Sequence, residues 1–208
     1  DQQLMLGRLL GRLHAVGAMR SFEHRPALDI DSFGDQSLAW LREHDSVPQA
    51  LRAAYFSVAD DLLAQIRQRF AEHPYNSIRL HGDLHVGNIL QRDELLYMVD
   101  LDDCRMGPAI QDLWMMLSGE RDQRQAQLAE LVEGYNEFHD FDPRQLQLIE
   151  SLRSLRLIHY SAWLARRWED PAFPMHFGWF ASERYWADQI LTLREQRAAL
   201  DEPVLRLF

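Results

Sequence analysis

Between Ser77 and Asp100 the chain reads SIRLHGDLHVGNILQRDELLYMVD. Three side chains in it can do chemistry together: Asp83, Asn88, and Asp100 at the end of an apolar run. A carboxylate beside an attacking hydroxyl can orient it and take its proton. One asparagine and one aspartate are a sufficient oxygen set for Mg²⁺, which keeps water and phosphate oxygens for its other positions. Such an ion neutralises charge on phosphates in transfer. The set therefore asks for phosphoryl transfer, with Asp83 as candidate base and Asn88 and Asp100 as candidate metal ligands.

The flanking residues say how the three are held. Ile78-Arg79-Leu80 is a short β-prone run ending at His81-Gly82, and Gly82 permits a backbone turn that a side chain would obstruct. Asp83 then falls on a loop. Ile89-Leu90 and Leu95 to Val99 are apolar runs separated by the polar Arg92-Asp93-Glu94, which reads as a hairpin. Asn88 enters its first strand and Asp100 leaves its second. A hairpin brings those two ends together, so both residues can face one ion.

The Asp-x-x-x-x-Asn spacing equals that of the protein-kinase catalytic loop, with Gly82 where that loop has arginine. HGDLHVGNIL followed by VDLDD resembles the aminoglycoside-phosphotransferase and choline-kinase superfamily. Taken with MVDLDDCRMGPAIQDLWMML and AWLARRWEDPAFP, it is similar to the bacterial stress response kinases, a group described as serine/threonine protein kinases within that superfamily. The resemblance covers the chain as the C-terminal lobe of that family. It implies an α+β, mainly α-helical lobe of a protein-kinase-like fold with a small catalytic hairpin. It implies Asp83 as proton acceptor, Asn88 and Asp100 as magnesium ligands, and ATP as phosphate donor. The acceptor it implies is a serine or threonine hydroxyl of a protein. A small-molecule kinase of the aminoglycoside or choline type and a non-catalytic kinase-like binding module are the alternatives. The full-length protein is expected to be a monomer.

No lysine occurs anywhere in the sequence. A kinase of this type needs a strand lysine on the nucleotide phosphates and a glycine-rich loop ahead of the catalytic loop. The expectation is that a β-rich N-terminal lobe is missing from this chain, and that residues 1–35 hold the first helix and a remnant of the lobe connection. The chain alone is then expected to be inactive. A naturally degenerate kinase half is the other reading.

Composition sets the outer limits. The chain has 208 residues, a formal net charge of −10, 47% hydrophobic residues and one cysteine. That length buries a real core. The acidic balance argues against nucleic acid as partner. Cys104 has no second cysteine to pair with. No apolar run approaches the roughly 20 residues of a membrane span, and no signal segment is seen, so a cytoplasmic protein without a membrane partner is expected.

The remaining helices and loops carry secondary candidates. Leu6, Leu9, Leu10 and Leu13 define one face of a first helix ending near Gly17. Ser46 with Gln49 suggests a capping box for a helix to about Glu72. After Asp100 come Asp102 and Asp103, loop acids that could help with metal or substrate. Pro108 can open a helix, placing Asp112 one turn in. That carboxylate could hydrogen-bond the catalytic-loop backbone, a bracing role the resemblance favours, or simply favour the helix start. Further helices are expected over about 121–139, 143–168 and 182–200, the second signalled by Asp142, Pro143 and Gln145. Arg166 and Arg167 could meet a substrate cleft or pair locally. His81 and His85 flank Asp83, and a zinc-hydrolase reading of His-x-Asp-x-His lacks further converging ligands. In the kinase reading His81 braces the loop and His85 lies by the cleft. The central hairpin and its lead-in are the only strands expected.

Overall fold

The computed structural model describes residues 2–207. In chain order its elements are α1 (Gln2–Gly17), a π-helical turn (Asp31–Asp35) running into α2 (Gln36–Glu43), α3 (Arg52–Glu72), β1 (Ile78–Leu80), β2 (Ile89–Arg92), β3 (Leu95–Met98), β4 (Arg105–Gly107), α4 (Ile110–Trp114), α5 (Arg121–Asn136), α6 (Ile149–Arg166), α7 (Ala172–His176) and α8 (Glu183–Ala199). The fold is mainly helical with four short strands, the α+β class the sequence implies. The chain divides into two compact units, one of residues 1–28, 73–149 and 203–208, the other of residues 29–72 and 150–202.

The first unit carries all four strands. β1 pairs antiparallel with β4, and β2 with β3. The β1–β4 pair is a correction to the sequence reading, which expected no strand after the hairpin. Arg105-Met106-Gly107 has no apolar alternation of its own. It is a strand because Ile78 to Leu80 offer it a ladder, and because Leu28 N donates to Met106 O from its other side at 2.7 Å.

α1 and α5 pack backbone against backbone. A Cβ on Gly7 would lie 2.0 Å from Leu131 O, one on Gly11 2.4 Å from Tyr135 O, and one on Gly134 2.1 Å from Leu4 O. Only glycine fits at these crossings. The buried side of α1 is accordingly Leu6, Gly7, Leu10, Gly11, His14 and Gly17. Leu9 and Leu13, expected inward, are only half-buried. Glycines at helical spacing outweigh two leucines because close backbone approach buries more than one face alone. Arg8 closes the exposed margin with Glu137, its Nε donating to both carboxylate oxygens at 2.9 and 2.8 Å.

In the second unit α3 packs on α8. Tyr55, Val58, Leu62 and Ile66 point inward from α3, and Trp186, Ile190 and Leu193 from α8, with Tyr55 and Trp186 edge to face at 5.2 Å. Leu152, Leu155, Ile158 and Leu164 of α6 are buried, as their spacing predicts. Fully burying each such side chain is worth about 1.5–3 kcal/mol, so they set the orientation of the helix. α2 was not foreseen. The helix expected after Ser46 starts only at Arg52. Ahead of α6 a 3₁₀ segment, Pro143–Leu148, replaces the expected first turns. Asp142 caps it by accepting from Arg144 N at 3.0 Å, while Gln145 reaches away to accept from Ile110 N at 3.1 Å. Among the described residues no helix is long and apolar enough to cross a membrane.

Candidate active site

The loop after β1 is shaped by one glycine. Gly82 has φ +88°, and a Cβ there would lie 2.4 Å from Asp103 O, so both conformation and space demand glycine. Asp83 follows on the loop. Its carbonyl oxygen accepts from Asn88 Nδ2 at 3.0 Å. Between them a 3₁₀ turn, Val86–Asn88, is capped by His85, whose Nδ1 accepts from Gly87 N at 3.0 Å. His85 Nε2 lies 3.9 Å from Asp83 Oδ2, beyond a hydrogen bond. His85 thus shapes the turn with one nitrogen and faces the Asp83 carboxylate with the other.

The hairpin brings the remaining candidates to one end. Its tip is a two-residue turn, Asp93-Glu94, with positive φ at both positions, the geometry whose twist matches that of the strands. Arg92, expected in the turn, is in the strand. The ladder ends with Ile89 opposite Met98, and Val99 N then donates to Asn88 O at 3.0 Å. Asp100 comes next, left-handed at φ 64° and ψ 67°. A non-glycine residue held there stores on the order of 1 kcal/mol, and such positions gather at functional sites. Its carboxylate is exposed.

Asp112 sits under this loop, fully buried in α4. Its Oδ2 accepts from His81 N at 2.7 Å and its Oδ1 from Gly82 N at 2.9 Å. His14 Nε2 lies 2.9 Å from Oδ2, and His14 Nδ1 lies 2.9 Å from the Tyr135 hydroxyl. His81 Nε2 donates to Val99 O at 2.8 Å and so ties the loop to the end of the hairpin. Burial, aided by the Asp112 charge, pushes the Tyr135 phenol far above its ordinary pKa, so it stays a neutral O–H. His14 and Tyr135 escaped the sequence reading. The available signal was a histidine in the buried face of α1, one turn after Leu10.

The other candidates are engaged elsewhere. The Asp103 carboxylate is held by Arg105 Nη2 at 2.6 Å. Asp102 is exposed, and its carbonyl oxygen accepts from Arg25 at 2.6 Å. Arg166 and Arg167 lie in the second unit. Arg166 donates to Gln36 O at 3.1 Å and sits 5.7 Å from the Trp40 ring centroid, with its pKa lowered first by burial and then by Arg167. Arg167 lies 4.6 Å from the centroid of Trp163. Both guanidiniums are thus taken up by local partners.

The donor set is one of oxygen atoms, which suits a hard divalent cation such as magnesium. Asn88 uses its N–H on Asp83 O, which leaves its carboxamide oxygen as a hard ligand, and Asp100 adds an exposed carboxylate oxygen. Among the described residues no cluster of three or more His, Cys, Asp or Glu side chains is arranged to hold a metal, so a zinc centre built from such ligands has no donor set there.

A lobe of kinase-like fold is what this scaffold defines, and comparison with known proteins places its family. Residues 4–149 match the phosphotransferase enzyme family, and the chain belongs to it. It is 44% identical over 207 residues to stress response kinase A of Escherichia coli O157:H7, and 44% identical to the serine/threonine protein kinase RdoA of Salmonella typhimurium. The match takes in 100% of this chain and 62% of either relative. Among solved structures, a microcompartment-associated aminopropanol kinase superposes with TM-score 0.65 at 19% identity, over 100% of this chain and 65% of that one. A choline/ethanolamine kinase family protein from Mesorhizobium loti gives 0.64 at 19% identity, over 97% of this chain and 62% of that one. The fold is that shared with these kinases.

Proposed function

We propose that this chain is the catalytic-loop lobe of a Mg²⁺- and ATP-dependent kinase that phosphorylates serine or threonine hydroxyls of proteins. The observation that supports the reading is that hydrogen bonds at one end of the β2–β3 hairpin bring together the stretches of chain carrying Asp83, Asn88 and Asp100. Asn88 is bonded through its side chain to Asp83 O, and Val99 N is bonded to Asn88 O one residue before Asp100. A scaffold that only bound a partner would have no physical need of that convergence. The kinase names of the 44% identical relatives support the same reading.

In this proposal Asp83 orients the acceptor hydroxyl and takes its proton as the new bond to the γ-phosphorus forms and the bond from that phosphorus to the β–γ bridging oxygen breaks, with ADP leaving. Asn88 Oδ1 and the Asp100 carboxylate would hold the magnesium. When bound, that ion neutralises charge on the phosphate oxygens of ATP. Asp112 and His81 keep the loop backbone in register with the hairpin, so Asp83 is placed before substrate arrives. His85 Nε2 faces the Asp83 carboxylate at 3.9 Å, and Asp102, Asp103, Arg166 and Arg167 are given no part in the chemistry. The nucleotide also needs a strand lysine, and these 208 residues have none. The chain matches 62% of its relatives' length, and the proposal places the lysine in sequence outside the matched part.

Phosphate transfer from γ-labelled ATP by the full-length protein tests this, with protein acceptors set beside cationic small molecules. Label on serine or threonine of proteins, dependent on Mg²⁺, is expected. Label confined to small alcohols would make it a small-molecule kinase, and no Mg-ATP binding at all would make it a binding module.

A further inference from the structure

The phenol of Tyr135 bonds to His14 on α1 and so stands at the head of a fully buried chain of hydrogen bonds that ends on the catalytic loop. Tyr135 lies 2.9 Å from His14 Nδ1, His14 Nε2 lies 2.9 Å from Asp112 Oδ2, and Asp112 holds the amides of His81 and Gly82 at 2.7 and 2.9 Å. Tyr135, His14, Asp112 and His81 are each 0% exposed. We infer that Tyr135 on α5 is a positioning residue for the catalytic loop, acting through the ring of His14.

The argument is one of tautomers. A neutral imidazole carries its hydrogen on one nitrogen only. Asp112 already accepts from two amides and needs donors around it. If His14 carried its hydrogen on Nδ1, Nε2 would present a lone pair to a buried carboxylate, a repulsive and unsatisfied contact. The phenol completes the tautomer that Asp112 demands. With Nε2 donating to the carboxylate, Nδ1 is the acceptor, and the Tyr135 O–H is the group placed to donate to it. An imidazolium would also donate from Nε2, with the phenol oxygen accepting, so the same bond to Asp112 results. The phenol keeps its proton because burial raises its pKa, and α5 holds the ring in place. Tyr135 packs edge to face on His14 at 5.5 Å and on Phe141 at 6.0 Å. Its main chain is fixed by the close approach of Gly11, where a Cβ would meet Tyr135 O at 2.4 Å. Register between α1 and α5 is thereby transmitted to the two amides that precede Asp83.

The consequence for rate rests on the proposed kinase reading, but the coupling can be measured without it. The experiment is Tyr135→Phe in the full-length protein, read by imidazole ¹⁵N shifts of His14 and by hydrogen exchange of the His81 and Gly82 amides. The wild type should show hydrogen on Nε2. The variant should keep hydrogen on Nε2 but lose the donor to Nδ1, moving the Nδ1 shift, and exchange about fivefold to tenfold faster at those amides, since one buried hydrogen bond is lost, while amides within α6 are unchanged. The catalytic readout is a similar fall in kcat with KM for ATP within about twofold, because geometry and not nucleotide binding is altered. An unmoved His14 Nδ1 shift, or unchanged exchange at both amides, overturns the inference whatever the activity. Normal coupling with no transfer to any acceptor would instead count against the kinase reading. His14→Gln supplies the second arm, since its amide can still donate to Asp112 but has no tautomer to be set. Tyr135→Phe should add little in that background. An undiminished effect there would show that Tyr135 acts by packing and not through His14.

Discussion

The side-chain amide of Asn88 donates to the main-chain oxygen of Asp83 at 3.0 Å. One bond thus joins the candidate base to a candidate metal ligand. It also decides which way the carboxamide faces, because the nitrogen is committed and the oxygen is left over. Two substitutions separate these duties. In the full-length protein, Asn88→Ala removes both, and the Mg²⁺ concentration for half-maximal phosphate transfer is expected to rise by about tenfold or more. Asn88→Asp keeps an oxygen but sets a carboxylate against the Asp83 carbonyl. Its Mg²⁺ requirement should move less than its kcat. Titrating the rate with Mg²⁺ checks both, and an unaltered midpoint in Asn88→Ala would remove Asn88 from the metal site.

Asp83→Asn keeps the size of the side chain and removes its capacity to accept a proton. The loss of a positioned general base costs typically 10²–10⁴-fold in rate, and kcat is expected to fall in that range. Gly82 φ, the Asp112 bonds and the Asn88 bond all involve backbone that the substitution leaves in place. The thermal midpoint should therefore stay within a few degrees of wild type. Single-turnover rates beside a circular-dichroism melt make the comparison. A variant that turns over normally would take the base role from Asp83.

The candidate residues were legible in the sequence because they are local. Asp83, Asn88 and Asp100 fall in one stretch, and the hairpin read from two apolar runs is present with Asn88 and Asp100 flanking its strands. What could not be read depends on distance along the chain. His14 meets Asp112 across 98 positions and Tyr135 across 121, and no local pattern marks either pair. β4 was hidden for the same reason, since its strand character comes from β1. The α1 stripe was misread by one step because leucines advertise an apolar face, whereas here glycines 7 and 11 mark where another backbone must pass. α2 was missed behind the π-helical turn at Asp31–Asp35, where Phe33 is buried against His159 at 4.0 Å. Asp112 was legible as a helix-start acid. Its use depended on where α4 would lie.

The glycine contacts make a stability prediction independent of any activity. A methyl group at Gly134 would lie 2.1 Å from Leu4 O and 3.1 Å from Arg8 N, both backbone atoms that cannot rotate away. Alanine favours an isolated helix by up to about 1 kcal/mol over glycine, so propensity alone predicts a gain. Overpacking should win instead. Gly134→Ala is expected to lower the unfolding free energy by roughly 2–3 kcal/mol. Gly178→Ala is the control, because nothing lies within 4 Å of a Cβ there. Urea unfolding of both variants measures the difference, and a stabilised Gly134→Ala would mean that α1 and α5 are farther apart than described.

Asp112→Ala probes the brace itself. The substitution strips a buried carboxylate from three N–H groups, those of His81, Gly82 and His14. Each donor is then left in an apolar space with no partner, and an unsatisfied buried polar group costs about 1–3 kcal/mol. Some relief comes from water entering the vacated volume, so the expected loss is roughly 3–5 kcal/mol, the range found when one partner of a buried charged contact is removed. Asp112→Asn should recover only part of it, because its amide presents N–H to at least one donor. If Asp112 served merely to favour the start of α4, its loss would cost about 1 kcal/mol or less. Chemical unfolding of the two variants chooses between these values. A small loss in both would leave the turn at Gly82 to be held by its own backbone and by the His81 bond to Val99.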